Sequence, residues 1–421
     1  MRTNRVYTQL CCFLGVFGLL LTHAWGLGVL PSHVLEDVMG ANWVAMWFYP
    51  LVWWSFIVFL DGCNSAHGRS ILSDRSLSFL PYVTACSAVI WYLFEAYNLY
   101  LANWFYVNIP VRRSLRWFGA TISFATVLPG MWVVKRSVAG VIPDFVSERA
   151  SWSTPGSIRT LLLLIGLVGA IGPFLLPTVF FPFVWGGLLL VLEWIEYRHG
   201  RDCFWGQCES GNYKQVLSWL MAGLICGFLW EFWNYLALGG WRYTVPGMGN
   251  LRLFEMPVIG YLGFPPFALM TWRLYESGTR YLRPKCGVKK VMVWIALGLF
   301  CVLVLRGMDF YTMVYTYQPL NQFVGWSTQE KKVIEQEGPE AFRKSTMVVP
   351  IVQSVQEKLL FVERVPFGME GANCFWKQGL RSFRDIDQKS TKELARVLNR
   401  CKPVGTDVWY RRVLDWKQRR D

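Results

Sequence analysis

The sequence predicts an all-α polytopic membrane protein with about nine transmembrane helices, two parallel four-helix repeats and a small helical C-terminal domain. Three observations predict this fold class. Of the 421 residues, 53% are hydrophobic and only 17% are charged, whereas soluble domains carry about 25% charged residues. Apolar runs long enough to cross a bilayer recur along the chain. Two long sequence blocks also occur twice, in the same order.

The basic charge and the cysteines fit the same class. Membrane proteins concentrate Lys and Arg in cytoplasmic loops, so the net charge of +14 does not indicate a nucleic-acid partner. Most of the 11 cysteines are single residues inside apolar runs. Cys203 and Cys208 have a spacing that fits no zinc ribbon. We therefore expect the cysteines to be free thiols that pack as small hydrophobic side chains.

A spanning helix needs about 20 predominantly apolar residues. Nine segments meet this requirement: 7–30, 43–60, 78–102, 115–134, 158–175, 177–196, 215–237, 254–274 and 289–306. We expect the first to be an uncleaved helix, because no small-residue cleavage pattern of a signal peptide follows it.

The loop charges predict that the N-terminus faces the cytoplasm. The loops that begin near residues 67, 135, 197 and 273 carry nearly all of the loop Lys and Arg, whereas 31–42 carries none. Basic loops face the cytoplasm. Nine spans then place the tail on the opposite side, and a miscount by one helix would reverse its side.

The tail from about residue 325 is charged and is predicted to form the small helical domain. Ser327 with Glu330, and Ser390 with Glu393, both match the Ser-x-x-Glu pattern of a capping box, which predicts two helix starts. A domain of this size has a thin hydrophobic core.

The repeat consists of two pairs of matching blocks. "YPLVWWSFIVFLDGCNSAHGRS", from Tyr49, aligns without gaps with "FPFVWGGLLLVLEWIEYRHGRD", from Phe181. "LFEAYNLYLANWFYVNIP" aligns with "LWEFWNYLALGGWRYTVP" after one insertion and one deletion. The offsets are nearly equal, so one duplication accounts for both pairs. A unit of four spans returns the chain to its starting side, so the repeats should be parallel, about an axis along the membrane normal.

The predicted domains follow from this repeat. They are a first repeat over 1–145, a second repeat over 146–284, a ninth helix with its linker over 285–324, and the C-terminal domain over 325–421.

Matching acids in the second block are the candidate catalytic residues. Glu95 and Asn98 match Glu231 and Asn234, and each pair shares one face of a helix. A charge at the centre of a lipid-facing helix costs about 2.5–3.5 kcal/mol, so these groups should face an internal polar cavity. A buried acid can protonate a substrate or bind a cation. Alternatively, each Glu and Asn bond across the repeat interface and lock the halves together.

Two polar stripes in the first block are candidates for a metal site. They are Asp61, Asn64 and His67 in one copy, and Glu193, Glu196 and His199 in the other. Glu-x-x-His is the pair that di-iron bundles use, which makes Glu196, His199, Glu193, Asp61 and His67 candidate ligands. The alternative is an ion-pair cluster in which Arg69 and Arg201 pair with the carboxylates. We expect no other cofactor.

Aromatic and proline residues after the acids complete the candidate set. Trp104, Tyr106, Trp241 and Tyr243 are candidate binding residues, or else interfacial anchors. Glu255 is a further binding candidate. Pro265-Pro266 is predicted to break the next helix in mid-span, with Pro129 as its first-copy counterpart.

The block "WEFWNYLALGGWRYTVP…LFEMPVIGYLGFPPFAL" resembles a group of uncharacterised bacterial inner-membrane proteins with a W-E-x-W-N…W-x-Y…FEMP…GY-x-G-x-PFAL pattern. The likeness covers most of the membrane part and implies a location in the bacterial cytoplasmic membrane. In that pattern an acid follows "PFAL", where this chain has Met270, and a similar acid follows the first-copy "VLP", where this chain has "GMWVV". A reaction served by those acids would be lost here.

Two fainter resemblances concern the acids and the tail. A duplicated helical unit with an intramembrane carboxylate resembles lycopene-cyclase-type membrane proteins, which protonate an isoprenoid, although their P-x-E-E signature is absent. In the tail, "FWKQGLRSFRDIDQKSTKELARVLNR" resembles a degenerate helix-hairpin-helix unit without the Gly-x-Gly that grips DNA. This implies a protein-contact module.

Three functional hypotheses follow. The first is a protein that binds or modifies a lipid-phase, isoprenoid-like ligand in a polar seam between the repeats. The second is a proton- or cation-coupled transporter, and the third is a non-catalytic scaffold or sensor whose tail recruits a protein partner. No Walker loop or nucleophile elbow occurs, so whether the protein is an enzyme is open. The expected partners are membrane lipid and a protein, and not nucleic acid.

Overall fold

A computed structural model of the chain describes residues 3–26, 43–72, 79–144, 151–245, 251–281, 287–313, 322–337, 342, 345, 347, 349–365 and 367–418. This part of the chain is mainly helical, with four short strands, as the composition predicts. It divides into two compact units. The loop 31–42, which carries no Lys or Arg, lies outside the described residues.

Unit 1 comprises Met1–Leu101, Trp117–Leu238 and Gly247–Gly307. Its helices, two of which extend into unit 2, are α1 (Thr3–Gly26), α2 (Trp43–Ala66), α3 (Phe79–Leu101), α4 (Arg113–Phe124), α5 (Val127–Val141), α6 (Gly156–Leu175), α7 (Pro177–Phe180), α8 (Gly187–Arg198), α9 (Phe204–Glu209), α10 (Tyr213–Leu236), α11 (Phe264–Tyr281) and α12 (Gly287–Tyr311). Short 3-10 helices cover Phe181–Trp185 and Val258–Gly263.

Seven described helical segments are long and apolar enough to cross a membrane. They are Arg5–Ala24, Met46–Ala66, Phe79–Leu101, Arg113–Val141, Gly156–Leu175, Tyr213–Leu236 and Gly287–Tyr311. The segments Pro177–Trp185 and Gly187–Arg198, bent by 48° at their junction, make an eighth if they cross as one span. The chain is thus an integral membrane protein, and these segments coincide with all but one of the predicted spans.

The exception is the predicted span 254–274, which does not begin as a helix. It starts with the hairpin of β3 (Arg252–Leu253) and β4 (Met256–Pro257) and continues into a 3-10 helix before α11. The expectation that Pro265-Pro266 breaks a helix is wrong, because both prolines lie in the first turn of α11. Pro129 lies likewise in the first turn of α5. A first turn tolerates proline because its N–H groups have no intrahelical acceptor.

The two matched helices α2 and α8 end in the same way. Gly68 has φ of +66° and Gly200 has φ of +63°, a conformation that favours glycine. The N–H of Arg69 donates to the carbonyl five residues earlier at 2.8 Å, and the N–H of Arg201 does the same at 3.1 Å. Each bond satisfies a carbonyl that the end of the helix would otherwise leave without a donor.

Unit 2 comprises Ala102–Arg116, Gly239–Pro246 and Met308–Asp421. Its helices are α13 (Thr328–Glu337), α14 (Pro350–Arg364), α15 (Gly368–Lys377), α16 (Phe383–Asp387), α17 (Thr391–Cys401) and α18 (Thr406–Gln418). β1 (Trp104–Val107) pairs antiparallel with β2 (Gly240–Tyr243). The core of the unit includes fully buried Phe323, Val355, Phe375, Leu394 and Trp409, and it also takes in Phe105 of β1.

The capping boxes predicted for the tail are confirmed. Glu330 accepts the N–H of Ser327 at 2.7 Å at the start of α13, and Ser390 and Glu393 form the reciprocal pair at α17. A third box, formed by Ser382 with an aspartate in place of the glutamate, begins α16.

One expectation about the cysteines is wrong, because Cys374 and Cys401 form a disulfide between α15 and α17. The remaining cysteines of the described residues are free thiols. Sequence spacing within the tail gave no sign of the pairing, since the two thiols meet only when the helices pack. The predicted domain boundaries at 145, 284 and 324 stay predictions, because the compact units follow contacts rather than repeats.

Candidate functional site

Both candidate acids are buried in unit 1, on helices that are otherwise mainly apolar. Glu95 on α3 and Glu231 on α10 each expose 0% of their surface, and Asn98 and Asn234 are equally hidden. The Glu and Asn of each helix share a face because they are three residues apart. The indole N–H of Trp91 donates to Oε1 of Glu95 at 3.0 Å.

Aromatic rings from the two sequence blocks pack against each other on the helices that carry these acids. The ring of Trp53 lies 5.7 Å from that of Trp230, and the ring of Trp185 stacks on Phe94 at 5.5 Å. In the sequence alignment, Trp53 matches Trp185 and Phe94 matches Trp230. Each contact therefore joins one block to the other, and the two contacts are counterparts.

Phe267 of α11 connects these two contacts. Its ring lies 5.1 Å from Phe94, 5.7 Å from Trp230 and 5.8 Å from Trp91. Trp91 binds Glu95 and lies 6.4 Å from Trp230, the residue before Glu231. We call Trp53, Trp91, Phe94, Trp185, Trp230, Trp233 and Phe267 the aromatic cluster.

One buried indole donor of the cluster lacks an acceptor. Trp230 exposes 4% of its surface, and within the described part of the chain its Nε1 has no hydrogen-bond partner. A buried donor left unsatisfied costs about 1–3 kcal/mol. A bound molecule or a water that accepts the N–H would satisfy such a group.

Gly130 on α5 packs closely against the aromatic cluster. A Cβ on Gly130 would lie 2.9 Å from the ring of Trp53. A larger side chain at this position would therefore displace the Trp53 ring from its place in the cluster. Met270, which follows "PFAL", is fully buried.

His23 on α1 touches the cluster and was missed by the sequence analysis. The indole N–H of Trp233 donates to Nε2 of His23 at 3.0 Å. The other ring nitrogen, Nδ1, lies 2.8 Å from the carbonyl of Leu19. Nδ1 therefore carries the proton and the ring is neutral. A single histidine in an apolar run gives no signal of its partner.

Asp61 and Asn64 of the first stripe hold the end of α2 in place. Asp61 is fully buried and accepts the hydroxyls of Tyr7 and Ser70, both at 2.7 Å. It also accepts the N–H of Ile71 at 2.7 Å. The amide of Asn64 donates to the carbonyl of Val133 on α5 at 2.9 Å.

In the second stripe, Glu193 holds the segment that follows α8. It pairs with Arg273 at 2.6 Å and accepts the N–H of Trp205 at 2.8 Å. Arg273 is 1% exposed and also pairs with Glu276 at 2.9 Å.

Glu196 is bound on three sides. It accepts the hydroxyl of Ser277 at 2.9 Å, pairs with Arg280 and lies 3.6 Å from Arg201. The Arg201 contact was expected, whereas Arg273 and Arg280 were missed because they come from α11, about 80 residues along the chain.

His67 and His199 lie at the exposed ends of the same stripes. Nδ1 of each ring contacts the carbonyl four residues earlier, at 3.1 Å for His67 and 2.7 Å for His199. Within the described ranges, no group of three or more His, Cys, Asp or Glu side chains could hold a metal ion. The metal site stays a prediction.

The predicted aromatic binding residues lie in unit 2, on β1 and β2. Trp104 is opposite Tyr243, and Tyr106 is opposite Trp241. The indole of Trp241 donates to the hydroxyl of Tyr243 at 2.8 Å. Glu255 lies in unit 1, 5% exposed, in the turn between β3 and β4.

Comparison of the chain with protein-family models, with curated proteins and with solved structures finds no match in any of the three. The geometry of the acids and the aromatic cluster is therefore the basis for assigning a function.

Proposed function

We propose that the chain is a gene-duplicated protein of the bacterial cytoplasmic membrane, which binds or modifies an isoprenoid-like ligand from the lipid phase at the aromatic cluster. One observation carries the proposal. Fully buried Glu95 and Glu231, at matching positions, lie on two helices that contribute rings to one cluster, and this cluster contains a buried indole donor, that of Trp230, without an acceptor.

The pairing of β1 with β2 supports the duplication. The alignment matches Trp104 with Trp241 and Tyr106 with Tyr243. Under that match, the pair Trp104–Tyr243 and the pair Tyr106–Trp241 are images of each other. A two-fold axis produces such reciprocal pairing. The Phe105–Arg242 pair would lie on the axis.

The element order and the helix ends support it as well. In each half, two candidate spans precede the acid helix if the bent pair counts as one, and a strand follows the acid helix directly. The glycine-terminated ends of α2 and α8 recur at matching residues. We therefore propose that two parallel repeats contribute equally to the site.

The chemistry of the cluster suits an apolar ligand with one polar oxygen. Aromatic faces offer a large apolar contact area, and the orphaned N–H group of Trp230 could donate to a ligand oxygen. A ring face also attracts positive charge. A proton passed from one acid to an alkene carbon would create a cation that the rings stabilise. Loss of a neighbouring proton to the other acid, as its carboxylate, would complete a double-bond shift.

In this account Glu95 and Glu231 are the acids or polar anchors, and Asn98 and Asn234 orient them. The stripes have a different role. Asp61, Glu193 and Glu196 already bind hydroxyls, backbone N–H groups and arginines, and so they support the ends of helices. This geometry does not favour the transporter hypothesis.

The test is the lipid content of the purified protein. Wild type and the E95Q/E231Q variant are extracted from membranes with native lipid, and their apolar lipids are compared by mass spectrometry. We expect an isoprenoid lipid to be enriched in the wild-type sample relative to the bulk membrane. In the variant, this enrichment should change by about tenfold, which is equivalent to 1.4 kcal/mol. D61N is the matched control, because Asp61 is equally buried but does not touch the cluster.

A second variant, W230F, keeps an aromatic ring and removes the indole donor. It should lose the enriched lipid and lose no more thermal stability than W132F, since it also removes an unsatisfied group. W132F, in a separate ring group with Trp219 and Trp272, is its control. An unenriched wild type, or enrichment unchanged in both E95Q/E231Q and W230F, would overturn the proposal.

A further inference from the structure

We infer that unit 2 lies on the extracytoplasmic side of the membrane, where Cys374 and Cys401 are oxidised to a disulfide, and that the chain crosses the membrane nine times. This inference does not depend on the proposed ligand.

Three segments of unit 2 must lie on the same side of the membrane. β1 follows α3, β2 follows α10, and Thr312 follows α12. β1 pairs with β2 along four residues, and the N–H of Tyr106 donates to the carbonyl of Thr312 at 2.8 Å. Backbone bonds of this kind join neighbouring chains directly, so no bilayer separates the three segments.

The number of crossings between these segments must therefore be even. Between β1 and β2 lie the α4–α5 segment, α6, the bent pair and α10, so the bent pair crosses as a single span. Between β2 and Thr312 lie α11 and α12. Since α12 crosses once, α11 must cross as well, although its composition does not qualify it alone. With α1, α2 and α3, the total is nine.

The burial of α11 explains how a less apolar helix can cross. Arg273 and Ser277 are buried and are paired with Glu193 and Glu196 of α8. Charged groups within a membrane are tolerated where they pair inside the protein. The polar side of α11 thus needs no contact with lipid.

The loop charges decide which side unit 2 occupies. Basic loops face the cytoplasm. With nine crossings, the basic loops all lie on one side of the membrane and the segments of unit 2 lie on the other side. The main exceptions to this rule are the arginines near the start of α4. Two of them are neutralised within unit 2, because Arg116 pairs with Asp309 at 2.6 Å and Arg113 pairs with it at 3.2 Å. The N-terminus is then cytoplasmic and unit 2 is outside.

The distribution of cysteines agrees with this placement. The segments of unit 2 contain no cysteine besides Cys374 and Cys401, and these two are joined. Free thiols occur in unit 1. Disulfides persist outside the cytoplasm, where thiols are not kept reduced, and an unpaired cysteine is disfavoured there.

Oxidation of the pair needs a partner that accepts two electrons, and we assign this role to an oxidant protein of the same compartment that carries a reactive disulfide. The thiolate of one cysteine attacks the disulfide of the oxidant and forms a mixed disulfide. The second cysteine, as its thiolate, displaces the oxidant. The oxidant leaves as a dithiol and takes up both protons.

The experiment uses the full-length protein in its membrane. Thiols are trapped by acid, and a polyethylene-glycol maleimide is added with or without prior reduction. In wild type, we expect the reduced sample to carry two more labels than the unreduced sample, seen as a larger gel shift. In C374S/C401S, reduction should not change the gel shift. A wild type without reduction-dependent labels would overturn the disulfide.

Sidedness is measured with a membrane-impermeant maleimide on intact cells. Q388C, at an exposed site in unit 2, should label above the wild-type background. S210C, exposed between α9 and α10, should label only after lysis. The reverse pattern, or labelling of both in intact cells, would overturn the placement of unit 2. Both readouts are independent of lipid binding.

Discussion

At the scale of single residues, the repeat pointed to the acids but not to their surroundings. Glu95 and Glu231 stood out because two matched carboxylates in apolar helices are costly unless they face inward. The structure buries both. The rings around them could not be predicted, because Trp53 meets Trp230 through helix packing that a sequence does not encode locally.

Glu330 in unit 2 allows a prediction about pH. Burial alone would raise the pKa of its carboxyl, but Lys358 at 2.8 Å, Ser354 and the cap residue Ser327 donate hydrogen bonds that lower the pKa to about 2. The usual value is about 4.3. The stabilisation is therefore complete above about pH 4.3 and is lost as the pH falls toward 2.

We expect E330Q to lower the unfolding temperature of unit 2 at neutral pH and to flatten its decline between about pH 4.3 and 2. Tryptophan fluorescence of the full-length protein during heating measures this. The control is E357Q, since Glu357 is exposed on α14. Equal pH profiles of E330Q and wild type would contradict the assigned contacts.

At the scale of elements, features that depend on a few consecutive residues were predicted correctly, whereas features that depend on residues far apart in the chain were not. The boxes at Ser327 and Ser390 were found because capping depends on four consecutive residues. The start of α11 was misplaced because an apolar run with Pro265 reads equally as a broken span or a helix start. The disulfide was missed because Cys374 and Cys401 are 27 residues apart.

The matching ends of α2 and α8 give a prediction for glycine. G68A and G200A should each lower the free energy of unfolding by about 1 kcal/mol, because alanine is strained at positive φ. Space is no obstacle, since no atom lies within 4 Å of a Cβ at either site.

Gly278, within α11, is the matched control, because it has the same open space but lies inside a helix, where alanine is favoured by about 1 kcal/mol. G278A should therefore be neutral or stabilising. Unfolding in mixed micelles measures all three variants. If G68A and G200A behaved like G278A, the assigned helix ends would be contradicted.

At the scale of the whole molecule, composition and hydropathy predicted the membrane class and most of the spans. They could not predict that unit 2 extends beyond the tail. Its first two segments, around Phe105 and Arg242, join the tail through strand pairing and a shared core. Such contacts depend on how the membrane helices are arranged, and no sequence pattern within the tail announces them.

The central claim is that two duplicated halves bring Glu95 and Glu231 to one aromatic cluster. A cryo-EM structure in lipid nanodiscs tests it most directly. We predict that 43–107 superposes on 175–243 by a rotation of about 180° around the membrane normal, with Trp53 against Trp230 and Phe94 against Trp185. Segments that do not superpose, or glutamates that face the acyl chains, would contradict the claim.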